Sequence, residues 1–255
     1  AMKEVFRPLY LNETPIIFTN VETAEMIKYA SNSFLATKIS FINEIANLCE
    51  TLGADVHDIA KGMGMDRRIG PKFLHPGPGY GGSCFPKDTR ALLSFAEESG
   101  HELGIVRATI EANNNQLVKM SDKIKSALNL SNNNQKIAVL GLTFKPETDD
   151  IRESPSLSLL PDLVRAGVTI KAHDPKGLDA AKQVLPSDII FCEDMLSAIK
   201  GSHAIILLTE WNEYRGLDLN VLKRIMQGNV FIDLRNIYER ETVESHGFSY
   251  FCVGR

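Results

Sequence analysis

The chain has 255 residues, 44% of them hydrophobic and 24% charged, which is typical of a globular protein with one large or two medium domains. The net charge of −4 and the lack of any basic run argue against a nucleic-acid partner. No apolar run approaches the roughly 18 residues that a membrane span requires, so we expect no membrane partner.

The first half of the sequence predicts helices. A strand-like run, PIIFTN, occupies 15–20, and apolar residues at helical spacing then predict one long helix over 21–51 with Gly53 as its stop. A helix of this length is usually a hub that is shared between domains or between subunits. Further helices are predicted over 55–63, 88–99 and 104–128, with a loop rich in glycine and proline over 70–87.

The second half predicts a parallel sheet. After a polar linker at 131–135, short β-rich runs alternate with helical stretches, and the runs are almost continuously apolar. Alternation of this kind indicates a doubly wound, Rossmann-like domain, so the fold class is α/β: an all-helical domain with a hub helix, then the parallel sheet. The strands are predicted at 136–142, 168–174, 188–192, 203–209, 229–234 and 248–253, and the helices at 156–166, 177–184, 193–199 and 218–226.

Polar residues follow several of these predicted strands. Lys145 comes after the first strand, Glu210 after the fourth and Arg235 after the fifth. Sheets of this class bind ligands at the carboxyl ends of their strands, so we expect Lys145 and Arg235 to meet a phosphate or a sugar there. The turn at His173 and Asp174 is interpreted as structural.

The run GPGYGGSCFPKD at 77–88 is the strongest chemical signal. Its glycines let the backbone approach a ligand closely and suggest a loop that is mobile when empty. Cys84 lies at the loop exit, followed by Lys87 and then by Asp88, which we interpret as a helix N-cap. A thiol near a helix N-terminus and a lysine ionises more easily, so Cys84 is a candidate nucleophile.

Lys28 and Asn32 lie four residues apart on the long predicted helix and therefore share one face. A fixed ammonium and an amide donor suit a carbonyl oxygen that becomes an oxyanion. By itself, Lys28 would be interpreted as a solvated helix lysine.

The cysteines and histidines indicate neither disulfides nor a metal. Cys49, Cys84, Cys192 and Cys252 are scattered without a C-x-x-C motif, which fits a reducing compartment, and we expect the cytoplasm. The six histidines show no metal-ligand spacing such as H-E-x-x-H, so we expect no metal.

Four segments together resemble the UDP-glucose/GDP-mannose dehydrogenase family: GYGGSCFPKDTRAL, 22–50, 144–157 and 231–238. The resemblance implies an NAD-dependent enzyme that oxidises the C6 alcohol of a nucleotide-sugar to a carboxylate, consuming two NAD per turnover. The wording is closest to members that act on UDP-glucose, because those acting on UDP-N-acetylmannosamine typically have GHC where this chain has Gly82-Ser83-Cys84. GDP-mannose and UDP-galactose stay open as substrates.

The resemblance also assigns roles. It makes Cys84, Lys28, Asn32 and Asp88 catalytic, and it places Cys84, Lys87 and Arg152 beside NAD. Arg68 matches an arginine that enters the pocket of a neighbouring subunit, and Tyr80 is the expected aromatic contact. The implied substrate-binding set is Lys28, Asn32, Arg68, Phe73, Leu74, His75, Gly77, Gly79, Tyr80, Gly81, Phe144, Lys145 and Arg235.

The resemblance implies three regions. Residues 1–20 are interpreted as the remnant of an N-terminal NAD-binding domain, because no G-x-G-x-x-G fingerprint opens the sequence. Residues 21–130 correspond to the helical central domain with the cysteine loop, and 131–255 to the UDP-sugar-binding domain. We therefore expect a C-terminal fragment that is inactive alone and forms a homodimer through its long helix.

Two functions of other classes stay open. The chain could be a non-catalytic module for nucleotide-sugar binding or dimerisation. It could also be a cysteine hydrolase, for which His75 is the one nearby candidate base, although no Asp or Asn is evident to orient it.

Overall fold

Helices form the first half of the molecule. The computed structural model describes residues 1–9, 16–129 and 135–255. None of the helices within these ranges is both long and apolar enough to cross a lipid bilayer. The first half contains α1 (Met2–Phe6), a 3-10 turn (Arg7–Leu9), α2 (Val21–Leu52), α3 (Val56–Gly64), α4 (Phe85–Glu98) and α5 (Gly104–Leu128).

The long helix α2 has clear signals at both ends. Its first turn is capped by the side chain of Asn20, which accepts a hydrogen bond from the Thr23 N–H at 3.0 Å. Its last turn is closed by Gly53, whose φ of 70° is favourable for glycine. The predicted helix over 21–51 is therefore confirmed, with its stop where the sequence indicated.

The strand-like run at 15–20 is not a strand. Residue 15 lies outside the described residues, and 16–20 have no regular secondary structure. Ile17 and Phe18 are exposed there. A β-strand needs a ladder partner, and the sheet pairs none of its strands with this segment. The predicted linker at 131–135 lies, except for residue 135, outside the described residues.

The second half is a six-stranded parallel sheet in the order β3-β2-β1-β4-β5-β6. The order reverses between β1 and β4, which opens a crevice at their carboxyl ends. The predicted doubly wound sheet is confirmed. Its strands are β1 (Lys136–Leu140), β2 (Thr169–His173), β3 (Ile190–Phe191), β4 (Ala204–Leu207), β5 (Val230–Asp233) and β6 (Ser249–Cys252).

Six helices connect or flank these strands. Four of them match the predicted ones, whereas α9 and α11 were not predicted, because stretches of four and six residues carry too little periodicity. The helices are α6 (Pro155–Arg165), α7 (Leu178–Val184), α8 (Met195–Ile199), α9 (Asn212–Arg215), α10 (Leu219–Ile225) and α11 (Arg240–Ser245).

The two halves share a hydrophobic core. Alternate residues of β1 point to opposite faces of the sheet, so Ile137 and Val139 join the core that also contains Ile42 and Ala46 of α2. The other face of the sheet packs on a separate cluster around Tyr214. One sheet face is therefore covered by the helical half, which fixes the position of the sheet's carboxyl edge relative to α2.

Asp174 braces the segment that leaves β1. Its buried carboxylate accepts hydrogen bonds from the backbone N–H groups of Leu142 (2.6 Å), Thr143 (3.0 Å) and Gly177 (2.7 Å). This agrees with the structural role predicted for the turn at His173 and Asp174. The residues that follow Thr143 thus leave the sheet from a fixed starting point.

Candidate active site

A cleft of about 610 Å³ lies between the helical half and the carboxyl edge of the sheet. Its wall is formed by α2, by the loop that precedes α4, and by the residues after β1 and β5. Most of the residues predicted to bind substrate meet here. The lining residues are Ile39, Asn43, Lys72, Phe73, His75, Gly77, Gly79, Tyr80, Gly81, Ser83, Cys84, Phe85, Phe144, Lys145 and Arg235.

Cys84 lies at one end of the cleft as the N-cap residue of α4. The helix begins at Phe85, earlier than predicted, because Pro86 is well suited to the first helical turn. Asp88 is therefore not the N-cap, and that prediction was wrong. Cys84 is exposed, whereas Cys49 and Cys252 are buried.

Asp88 organises the polar cluster beside Cys84. Its carboxylate accepts a hydrogen bond from Asn32 Nδ2 at 2.6 Å, lies 3.3 Å from Lys28 Nζ, and bonds Lys87 through its other oxygen. The Asp88 side chain has no exposed surface, while both lysines are more than half exposed. The structure thus brings together the four residues predicted to act with the thiol.

The charge state of this cluster follows from its contacts. Burial favours the neutral form of Asp88, but the hydrogen bonds from Lys87, Asn32 and Lys28 outweigh it and hold its pKa below the usual range. The hydrogen bond to Asp88 in turn raises the pKa of Lys87. One buried carboxylate therefore holds two ammonium groups beside the cysteine.

Tyr29 is a member of this cluster that the sequence analysis missed. Lys28 Nζ and Lys87 Nζ lie 5.3 Å and 6.0 Å from the centre of its ring, and the edge of Phe95 supports the ring at 5.5 Å. An aromatic face attracts cations, so Tyr29 helps to keep the two lysines together. Its position next to Lys28 was the available signal.

Arg235 and Lys145 mark the sheet end of the cleft. The guanidinium of Arg235 donates to the carbonyl oxygens of Leu208 (2.6 Å) and Phe144 (3.2 Å), and its Nε lies 3.2 Å from Glu210 Oε2. Lys145 is exposed, with its ammonium 5.3 Å from the centre of the Phe144 ring. Within the described ranges no carboxylate oxygen lies within 4 Å of Lys145 Nζ, so its charge is available to a ligand. The two predicted cations therefore converge on one cleft.

Lys72 is a further cation of the cleft wall that the sequence analysis did not select. It is exposed, and it precedes Phe73, whose φ of 64° is unusual for an aromatic residue. The Phe73 ring packs edge-on against Phe85 at 6.0 Å. Strained backbone of this kind clusters at functional sites.

Two glycines allow the cysteine loop to meet the residues after β1. A Cβ on Gly81 would lie 2.2 Å from the carbonyl oxygen of Glu153, and one on Gly82 would lie 2.6 Å from the Phe144 ring. The Gly82 N–H donates to the carbonyl oxygen of Arg152 at 2.9 Å. Close approach of two backbone segments thus explains these glycines directly.

The loop is held by side-chain amides, although its glycine content predicts mobility. Asn113 accepts the Tyr80 N–H at 2.8 Å and donates to the Tyr80 carbonyl at 3.2 Å. Asn43 and Gln116 bind Gly77 in the same way. The sequence analysis missed these amides. The signal was a set of polar residues at helical spacing on the buried faces of α2 and α5.

Some predicted residues lie away from the cleft. Leu74 does not line it, since its side chain is buried in the core below the loop. Arg68 is exposed and pairs with Asp66 of its own turn. Arg152 pairs with Asp150, although its guanidinium is within electrostatic range of the Cys84 sulfur.

His75 lines the cleft and is exposed, but in the described ranges no hydrogen bond joins it to Cys84 or to a carboxylate. The hydrolase interpretation therefore gains no support from the geometry.

Comparison with protein families gives two matches. The central domain of the UDP-glucose/GDP-mannose dehydrogenase family matches residues 22–115, and the UDP binding domain of the same family matches residues 138–240. The cysteine loop and α2 lie in the first match. Lys145 and Arg235 lie in the second.

Relatives and solved structures agree with these matches. The UDP-glucose 6-dehydrogenase of Rhizobium meliloti is 48% identical over 255 residues, which are 100% of this chain and 58% of that protein. A UDP-glucose 6-dehydrogenase of Bacillus subtilis is 43% identical over 100% of this chain and 54% of its own length. The structure of a UDP-glucose dehydrogenase from Pyrobaculum islandicum covers 98% of this chain and 54% of that chain, with a TM-score of 0.85 and 33% identity. The chain thus spans a little over half the length of the relatives it matches.

The buried carboxylate gives a pH-dependent prediction. Asp88→Asn should lower the melting temperature at pH 5–7, because breaking a hydrogen-bonded charge cluster costs about 1–3 kcal/mol. A carboxylate with a depressed pKa stabilises the fold above its unfolded-state pKa of about 3.9 and loses that contribution as the pH falls through its folded value. The difference between wild type and variant should therefore shrink below about pH 4, as measured by thermal melts from pH 3 to 7.

Asp66→Asn is a matched control, because Asp66 also pairs with a neighbouring cation but lies on an exposed turn. It should change stability much less than Asp88→Asn. Equal melting temperatures for wild type and Asp88→Asn at pH 7 would contradict this account of the cluster.

Proposed function

The chain belongs to the UDP-glucose/GDP-mannose dehydrogenase family, and we propose that the enzyme oxidises the C6 alcohol of UDP-glucose to a carboxylate, giving UDP-glucuronate. The observation that carries the proposal is one cleft with an exposed cysteine at one end and two cations at the other. A nucleotide-sugar has the matching polarity, with a diphosphate at one end and an alcohol at the other. The UDP-glucose 6-dehydrogenases among the relatives support the choice of sugar.

The sheet end of the cleft suits the diphosphate. Arg235 is mostly buried and held by two carbonyl oxygens, so its guanidinium is already oriented before a ligand arrives. Glu210 offsets part of its charge, which leaves Lys145 and Lys72 as cations without a partner carboxylate in the described residues. Tyr80 and Phe73 supply apolar surface along the cleft between this end and Cys84.

The other end suits an oxidation that proceeds through a covalent intermediate. When bound, NAD accepts a hydride from the alcohol and a second one from the intermediate. The Cys84 thiolate attacks the aldehyde to form a thiohemiacetal, which becomes a thioester after the second oxidation and is then hydrolysed. Lys28 and Asn32 donate to the oxygen that gains negative charge, and Asp88 holds both of them.

The surroundings of Cys84 fit a dinucleotide. Lys87 and Arg152 are exposed cations within electrostatic range of the sulfur, which suits an anionic cofactor. In our proposal these residues contact NAD, while its main binding site lies in a region of the enzyme beyond this chain. The chain alone then binds the nucleotide-sugar but does not oxidise it. We assign the enzyme to the cytoplasm on the ground of its free, scattered cysteines.

We also propose a homodimer through α2. Four large apolar residues of this helix are exposed and recur every seven positions: Ile27, Phe34, Phe41 and Leu48. This apolar stripe lies on a different face from the buried residues of α2, and a seven-residue repeat is the pattern by which two helices pair. Lys38, beside the stripe, donates to the carbonyl oxygen of Ile69 at 2.9 Å and so holds the Arg68 turn at the same surface.

The nucleotide end can be tested by titration of the chain with UDP. Arg235→Ala should weaken UDP binding by about 10- to 100-fold, the loss expected for a charge-assisted hydrogen bond of about 1.5–3 kcal/mol. Lys145→Ala should have a smaller effect of the same sign. Lys176→Ala is the matched control: it removes a cation from the same sheet edge that does not line the cleft, and it should leave affinity unchanged. Wild-type affinity in both Arg235→Ala and Lys145→Ala would place the ligand elsewhere.

The oxidation can be tested by following NADH. The purified chain should form no NADH from UDP-glucose, whereas the enzyme with its NAD-binding region should form two per UDP-glucose. In that enzyme Cys84→Ser should abolish complete oxidation to the acid, because a serine hydroxyl is a far weaker nucleophile at neutral pH. Cys192→Ser should retain the full yield. GDP-mannose and UDP-galactose, tested in parallel, should be poorer substrates. Oxidation to the acid by Cys84→Ser would exclude the thioester route.

The dimer can be tested by light scattering. Phe34→Ser and Phe41→Ser should convert the chain to a monomer, because both remove apolar area from the stripe. Val184→Ser removes a comparably exposed apolar residue from α7 of the sheet domain and should leave the dimer intact. A wild-type monomer would refute the proposal.

The role of Arg68 can be tested by complementation. If it enters the neighbouring subunit's site, mixing Arg68→Ala and Cys84→Ala chains of the active enzyme should restore partial activity. Failure to restore activity in mixed dimers would place Arg68 outside the site.

A further inference from the structure

Gly77 of the cleft wall is held on both sides by buried side-chain amides. Its N–H donates to Asn43 Oδ1 of α2 at 2.8 Å, and its carbonyl oxygen accepts from Gln116 Nε2 of α5 at 2.8 Å. Both side chains are 2% exposed. These bonds are shielded from water, so each contributes more to the position of Gly77 than an exposed bond would.

The amide contacts continue back to α2. Gln116 Oε1 accepts a hydrogen bond from Asn47 Nδ2 at 2.8 Å, and Asn47 lies one helical turn after Asn43. This set of contacts, which we call the Gly77 clamp, consists of Asn43, Asn47, Gln116 and Gly77. It begins and ends on one rigid helix, so Gly77 is fixed relative to α2 even though it lies in a glycine-rich loop.

Gly77 also meets the cation at the sheet end. A Cβ on this residue would lie 3.4 Å from the Leu234 carbonyl oxygen and 3.6 Å from Arg235 Nη1. The backbone of the loop therefore runs beside the guanidinium, with no side chain between them. The Gly77 clamp thus sets the spacing between the loop and Arg235.

The clamp is not explained by stability alone. Asn43 Nδ2 is buried with no hydrogen-bond partner among the described residues. A buried donor left unpaired costs about 1–3 kcal/mol, so a group with one acceptor and no such donor would stabilise the loop better. Unsatisfied groups of this kind in native structures call for an explanation other than packing.

We propose that Asn43 and Gln116 are positioning residues that set the affinity of the cleft for the nucleotide part of its ligand, by holding the loop at Gly77 in place against Arg235. The inference rests on the proposed function, because it takes the ligand to be a nucleoside diphosphate sugar. A loop that is already in place costs the ligand no ordering entropy on binding. Neither residue takes part in the chemistry at Cys84.

The test is a titration of the 255-residue chain with UDP, well below its melting temperature. Asn43→Leu and Gln116→Met remove the amide groups with little change in volume, and each should weaken UDP binding by about tenfold. Asn47→Leu is the matched control. It removes a buried amide of the same helix that contacts Gln116 but not the loop, and it should change the dissociation constant less than threefold. If Asn43→Leu fails to fold, Gln116→Met supplies the same measurement from α5.

A double-mutant cycle separates positioning from a merely structural role. In an Arg235→Ala background the loop has no guanidinium to be positioned against, so Asn43→Leu should have much less effect than in the wild type. Effects that simply multiply would overturn the proposal. So would unchanged UDP affinity in folded Asn43→Leu and Gln116→Met. Absence of UDP binding by the wild type is a distinct result, which would remove the proposed function and this inference with it.

Discussion

The rest of the structure depends on the requirement that α2 satisfy several neighbours at once. One part of its surface belongs to the core shared with the sheet, through Ile42 and Ala46. Another carries Lys28 and Asn32 to the carboxylate of Asp88. A helix is rigid over this length, so the positions of the core, the polar cluster and the cysteine loop are fixed relative to one another. The exposed apolar stripe uses the face that is left.

The cleft combines two electrostatic solutions. Near Cys84, a fully buried carboxylate holds two lysines that would otherwise repel each other, which keeps cations beside the thiol without ordering them through solvent. At the sheet end, Arg235 is oriented by carbonyl oxygens and Glu210. Both arrangements exist before a ligand binds. The cost of orienting the charges is therefore met on folding, as expected for sites that bind or stabilise negative charge.

The sequence was sufficient for the fold and for most of the cleft. The periodicity predicted α2 and the parallel sheet, and the convergence of strand ends predicted that Lys145 and Arg235 would lie close together. The resemblance brought Lys28, Asn32 and Asp88 to Cys84. What could not be predicted depends on contacts between distant segments. The start of α4 was missed because Pro86 and Asp88 both signal a helix start. The amides of Asn43 and Gln116 give no local signal, since their partner is a backbone group far away in the sequence. Leu74 sits among residues that line the cleft, and its burial is visible only in three dimensions.

The central claim is that one nucleotide-sugar spans the cleft from Arg235 to Cys84. The most direct measurement is a crystal structure of the chain with UDP-glucose. We expect the diphosphate beside Arg235 and Lys145, and the C6 oxygen-bearing carbon about 3.5 Å from the Cys84 sulfur, close enough for attack once it is oxidised. A sugar bound with C6 directed away from Cys84, or a ligand outside the cleft, would contradict the claim.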